Sequence, residues 1–178
     1  YLIDAPTIFI ENRSKPLCNV ANMNYGSMPI DDGHLILNEE EKENLLKENS
    51  NNSKFIRKYI GGEEIINNKI RYCIWLNQIN PLEIRQSSFI MTRIRLTKEF
   101  REGSNRPQTL KAAKTPYLFG EIRQPDTKML VIPKVSSETR KYIPIDFKTP
   151  DIIVNGSALI VPNANLYLFG ILTSNVHN

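Results

Sequence analysis

The sequence is poor in the residues on which metal, redox and nucleotide chemistry rest. Its 178 residues hold two cysteines, Cys18 and Cys73, and two histidines, His34 and His177. Neither cysteine belongs to a C-x-x-C pair, so neither a zinc pattern nor a disulfide framework is legible. Free thiols in a reducing cytoplasm are expected, with Cys73 inside a strand. The eight glycines stand at 26, 33, 61, 62, 103, 120, 156 and 170. They form neither G-x-G-x-x-G nor a P-loop, which removes the common nucleotide cradles. A G-x-S-x-G elbow is missing too, and with it the α/β-hydrolase reading. No two prolines are adjacent. The Asn/Asp-Pro-Pro-aromatic loop that would hold a flipped adenine for N6 methylation is therefore absent. No apolar run nears the ~18 residues of a membrane span, and no basic start leads into an apolar secretory segment.

What the chain does carry is an uneven charge. Hydrophobic residues make up 40% and charged residues 24%, the balance of a globular protein, and the length suits one domain with a real core. The formal net charge is +4. Residues 85–148 hold fourteen Lys or Arg against six Asp or Glu, whereas the rest holds nine against thirteen. A basic second half beside an acidic first half is the footprint of a polyanion partner. A solvated surface of uneven charge is the plain alternative.

Residues 7–10 (TIFI) read as a strand, and 25–29 and 31–33 as turn chemistry. Asn38 can cap a helix whose third position is Glu41. Residues 53–60 suggest a second helix or turn, stopped by Gly61-Gly62. Residues 70–76 (IRYCIWL) alternate as a strand, with Trp75 expected in the core before any base-stacking role. Pro81 opens a helical stretch in which Phe89, Arg93, Leu96 and Phe100 recur at helical spacing, ended by Gly103. Residues 104–114 read as an exposed loop carrying Arg106, Lys111 and Lys114, fit either to track a phosphate backbone or simply to connect. Residues 158–161 and 166–172 are two further strand-like apolar runs. Strands and helices without strict alternation predict an α+β domain with a mixed or mainly antiparallel sheet.

The block from 115 to 147 gathers the most suggestive chemistry. Residues 129–132 form a continuous apolar run, the pattern of a strand buried on both faces. Arg123, Gln124, Lys134, Ser136, Ser137, Arg140 and Lys141 crowd the turns around it. Cations and amides on a stiff strand suit phosphate and base-edge contacts. Arg123 has a second reading, a salt bridge with Glu121 or Asp126. A nuclease lookalike is also present. Pro125-Asp126, then Asp146 and Lys148, match a loose two-carboxylate and lysine pattern for Mg²⁺. Each half is short and common, and Pro144 and Pro150 bracket the second. A stand-alone metal nuclease and a module binding an acidic protein remain the competing classes.

Ordered blocks then bring a family into view: 25–29 (YGSMP), 31–35 (DDGHL), 55–57 (FIR), 71–76 (RYCIWL), 120–126 (GEIRQPD), 132–138 (IPKVSSE), 140–145 (RKYIPI) and 168–174 (LFGILTS). Together they resemble the target-recognition region of MmeI-type DNA methyltransferases, the fused restriction-modification enzymes of bacteria. The resemblance covers nearly the whole chain. It departs at 31–34, where Asp-Asp-Gly-His stands for the family's usual Asp-Gly-Gly-His. It implies that residues 1–178 are a non-catalytic DNA-reading domain cut from a longer protein. The parent would methylate adenine N6 with S-adenosylmethionine, with Mg²⁺ where a nuclease is fused. The expected partners are double-stranded DNA and the methyltransferase domain of the same chain, in the cytoplasm and not at a membrane. The fragment itself is expected to hold no catalytic residue, metal or cofactor. Chemistry makes Arg123 and Gln124 the first candidates for base reading. Lys134, Ser136, Ser137, Arg140 and Lys141 are candidates for phosphate or base contact, and Asn155 is a further one.

Overall fold

A computed structural model describes residues 12, 16, 17, 19–137 and 139–174. The strand expected at 7–10, together with Cys18 and His177, lies outside the described residues. Strands β1 (Asn24–Tyr25) and β2 (Ile36–Leu37) lead into helix α1 (Glu39–Glu48) and a 3-10 turn, Ser50–Phe55. Then come β3 (Ile56–Ile60), α2 (Gly62–Asn67), β4 (Arg71–Ile74), α3 (Pro81–Ile84), α4 (Ser88–Glu102) and α5 (Pro107–Ala112). The chain closes with β5 (Met129–Pro133), β6 (Asp146–Lys148), β7 (Ile152–Val154), β8 (Ala158–Pro162) and α6 (Leu166–Leu172). These form two four-stranded sheets, ordered β1-β8-β5-β6 and β2-β4-β3-β7. Among the named strands every pairing is antiparallel except β3 with β7. The architecture is α+β, and no helix among the described residues is long and apolar enough to cross a membrane.

Strand β5 welds the layers, because its alternate side chains enter two different cores. Met129 and Val131 meet Ile60, Val154 and Ile160, joining the sheets. Leu130 and Ile132 turn the other way onto Ile145 and Val161, with Leu168, Phe169 and Leu172 of α6 packed beside them. All five residues of β5 are buried. Each fully buried aliphatic side chain contributes roughly 1.5–3 kcal/mol, so this strand is held more firmly than any turn it feeds. A third core, including Leu35, Leu45, Phe55, Ile74 and Ile90, lies under the second sheet and helices α1 and α4. Cys73 is fully enclosed there, and burial pushes its thiol above its ordinary pKa, only partly opposed by Arg57. Trp75 packs edge-to-face on Phe119 with ring centroids 5.0 Å apart, as core packing requires.

The cap expected at α1 is present in both halves. Asn38 Oδ1 accepts from the Glu41 amide at 2.8 Å, and the Glu41 carboxylate accepts from the Asn38 amide at 3.0 Å. Several other expectations are corrected. The helix or turn over 53–60 divides into the 3-10 turn and strand β3, because Ile56–Ile60 finds two partners, β4 and β7. Gly61 is the residue before a helix, not the stop of one. The loop over 104–114 contains α5, started by Pro107 with its preset φ. The run 166–172 is α6, capped by Asn165 accepting from the Leu168 amide. It reads as a strand in sequence because its exposed side, Leu166, Tyr167 and Ile171, is as apolar as its half-buried one, Leu168, Phe169 and Leu172. The stretch from Pro81 breaks at Ser87, whose Oγ caps α4, and the α4 face is rotated from the expected one. Ile90, Thr97 and Arg101 are its buried residues, while Phe100 is 40% exposed.

Candidate nucleic-acid interface

Lys134, Ser136, Ser137, Arg140 and Lys141 follow the end of β5 along the chain. Leaving Pro133, the Lys134 amide donates to Ser157 O at 3.3 Å, which ties the exit to the start of β8. The Lys134 ammonium rests over the Tyr25 ring, 4.1 Å from its centroid. Tyr25 is half exposed, so this contact orients the lysine without removing it from water. Next, the Arg140 amide closes a turn on Ser137 O at 3.1 Å, and Ser137 Oγ lies 2.8 Å from Thr139 Oγ1. Ser136 Oγ is shielded and meets no partner among the described residues. Arg140 and Lys141 stand exposed on the turn, with Lys141 Nζ 5.5 Å from the Tyr142 ring. No described carboxylate forms an ion pair with Lys134, Arg140 or Lys141.

Arg123 stands beside this edge with its guanidinium partly engaged. Its backbone amide donates to Ser27 Oγ at 3.0 Å, Nη1 donates to Gly26 O at 3.2 Å, and Nη2 pairs with Glu121. The salt-bridge reading of Arg123 is therefore present, although the side chain keeps 36% of its surface in solvent. Gln124 points the other way. Its Nε2 donates to Pro150 O and Ile152 O at 3.0 and 2.8 Å, and its Oε1 accepts from the Val154 amide at 3.2 Å. The amide thus straps β7 in place with its donors and acceptor on backbone groups. Asn155 is buried, and its Oδ1 accepts from the Ser157 amide at 2.7 Å and from Ser157 Oγ at 2.5 Å, shaping the turn before β8. Gly26 passes so close beneath that a Cβ there would stand 2.2 Å from Asn155 O. Arg123, Lys134 and Asn155 therefore converge on residues 25–27, whereas Gln124 does not.

The lookalike nuclease residues do not share a site. Asp146 is on β6, where Lys148 Nζ donates to its carboxylate at 2.5 Å. It lines a cleft with Lys58 and Glu64, whereas Asp126 lines a different one with Arg57, Trp75 and Asp151. Among the described residues no three His, Cys, Asp or Glu side chains are placed to hold a metal ion.

Two features escaped the sequence reading. Arg101 is fully buried, and all five of its N–H groups end on backbone carbonyls: Nε on Ile30, Nη1 on Ala112 and Thr115, Nη2 on Pro29 and Leu118. Burial lowers its pKa from the ordinary value, and the charge of nearby Asp31 works against that. Its position, four residues beyond buried Thr97 and eleven beyond Ile90, lies on the inward stripe of α4, which was the available signal. The second is only the shape of a segment already singled out for its cations: Lys111 and Lys114, with Gln108 and others, line a cleft of about 550 Å³ beside α5.

A two-sheet α+β scaffold that presents a cationic, aromatic-edged loop from a doubly buried strand has the build of a recognition domain. The family of the MmeI target recognition domain matches residues 4–178, and the chain belongs to it. It is 34% identical over 177 residues to DNA methyltransferase A of Bacillus subtilis (strain 168), covering 99% of this chain and 20% of that protein. A solved structure of the type IIL restriction-modification enzyme MmeI in complex with DNA superposes with a TM-score of 0.88 at 36% identity. That match covers 97% of this chain and 23% of the MmeI chain. The chain thus spans about a fifth of the length of these relatives.

Proposed function

We propose that this domain reads a short DNA site for a bacterial restriction-modification methyltransferase. Another part of the same protein would then extract and methylate the target adenine at N6. One observation carries the reading: Lys134, Arg140 and Lys141 stand exposed, free of described carboxylates, at the exit of a strand buried on both faces. Base reading needs side chains held to within about half an ångström, and β5, buried along its whole length, is a stiff mount. The relative solved with DNA supports the same assignment.

The roles divide by geometry. Arg140 and Lys141, on an open turn, grip phosphates or reach a base edge, with Ser137 beside them. Arg123 keeps part of its guanidinium available for a guanine edge while Glu121 fixes its plane. Gln124 and Asn155 support the scaffold instead. S-adenosylmethionine would supply the methyl group elsewhere in such a protein, since these residues include neither a glycine-rich cradle nor an adenine-holding loop. A fused nuclease, where one exists, would take Mg²⁺ on its own carboxylates. The cytoplasm is where such an enzyme meets DNA.

The test is a fluorescence-anisotropy titration of the chain with labelled duplex DNA from 50 to 200 mM salt. Log affinity should fall linearly with log salt, by roughly 0.9 per phosphate contact, and Arg140→Ala/Lys141→Ala should make that slope shallower by about 1 to 2. A slope near zero, or one that the double variant leaves unchanged, refutes the assignment.

A further inference from the structure

The cleft beside α5 carries the same chemistry as the reading loop but belongs to a separate part of the fold. Lys111 and Lys114 stand three residues apart, so they share one side of the α5 end. Both are exposed, and neither forms an ion pair with a described carboxylate. Gln108 adds an exposed amide on the same rim. The carboxylate lining the cleft, Glu121, is already paired with Arg123. The pocket is therefore electropositive.

It is also preformed. Arg101 holds Ala112 O and Thr115 O with one nitrogen, and Ile30 O and Pro29 O with the other two. The wall bearing the lysines and the wall made by Ile30 are thus clamped by one guanidinium. Glu121 pairs with Arg123, Arg123 donates to Gly26 O, and Tyr25 next in the chain carries Lys134. A run of contacting residues thus joins the cleft to Lys134, and a cleft held in place before binding loses less ordering entropy when a ligand arrives.

We infer that the α5 cleft grips the sugar-phosphate backbone of duplex DNA through Lys111 and Lys114, flanking the stretch met by the 134–141 loop. This rests on the DNA-reading assignment and adds to it a contact that is blind to sequence. The same anisotropy titration, run on Lys111→Ala/Lys114→Ala and on Lys111→Arg/Lys114→Arg, tests it. Affinity scales with salt to a power of about −0.9 per phosphate, so the alanine variant should lose roughly tenfold per lysine at 0.1 M salt. Its slope should be shallower by about 2, equally on every duplex, while the arginine variant keeps both affinity and slope. Wild-type affinity and slope in the alanine variant, with Arg140→Ala/Lys141→Ala still weakened, overturns the cleft and leaves the reading loop standing. A loss confined to one duplex sequence also overturns it, because it would mean base contact. Absence of salt-dependent binding by the unaltered chain removes both.

Discussion

Arg101→Ala withdraws five N–H donors from five backbone carbonyls belonging to three segments: residues 29–30, the end of α5, and residues 115–118. Hydrogen bonds from a charged donor contribute roughly 1.5–3 kcal/mol each, but water entering the vacated space recovers part of that. Removing one side of a buried charged network costs about 3–5 kcal/mol, a large share of a domain's total of about 5–15 kcal/mol. With a urea m-value near 2 kcal/mol/M, the unfolding midpoint should fall by about 2 M. Arg101→Met keeps length and apolar bulk without donors and should lose nearly as much. Arg101→Lys keeps the charge but has three donors on one atom, which cannot reach all five carbonyls, so it should lose about 2–3 kcal/mol. Urea unfolding followed by circular dichroism checks the series. A Met variant within about 1 kcal/mol of wild type would show that side-chain bulk, not the carbonyl clamp, organises this region.

Gln124→Leu should cost about 2 kcal/mol by leaving the Pro150 and Ile152 carbonyls and the Val154 amide without their partner, while the fraction that folds keeps its sequence preference in DNA binding; altered preference at unchanged stability would make Gln124 a reader after all. Asp32 occupies the left-handed region at φ +54°, which glycine enters without strain, so Asp32→Gly should stabilise by up to about 1 kcal/mol in thermal melts; a lower Tm would refute the strain. Burial raises the Glu48 pKa, but the Ser87 and Ser88 hydroxyls and the Ser88 and Phe89 amides outweigh it and leave the carboxyl below its ordinary value. A lowered folded-state pKa adds stability above the unfolded value, about 4.3, and that stability disappears as pH falls through the folded value. Glu48→Gln should therefore flatten the stability profile below about pH 4.3, and an unchanged acid limb in urea titrations at pH 3–5 would contradict this.

Local order was largely legible in the sequence. The Asn38–Glu41 capping box, the doubly apolar run at 129–132 and the basic second half each depend on neighbours a few residues away or on composition, which a linear reading contains. The family likewise followed from ordered blocks spread along nearly the whole chain. Tertiary contacts decided the rest. Ile56–Ile60 became a strand because β4 and β7 flank it, and 166–172 became a helix because Leu168, Phe169 and Leu172 need one face of β5 and β8. Gln124 and Arg140 have similar polarity on paper, yet one meets the backbone of a strand 26 to 30 residues away and the other meets water. Arg101 looked like one more helix cation until five distant carbonyls surrounded it. Polar side chains take their roles from partners that only folding brings near, because a hydrogen bond acts over about 3 Å whatever the separation along the chain.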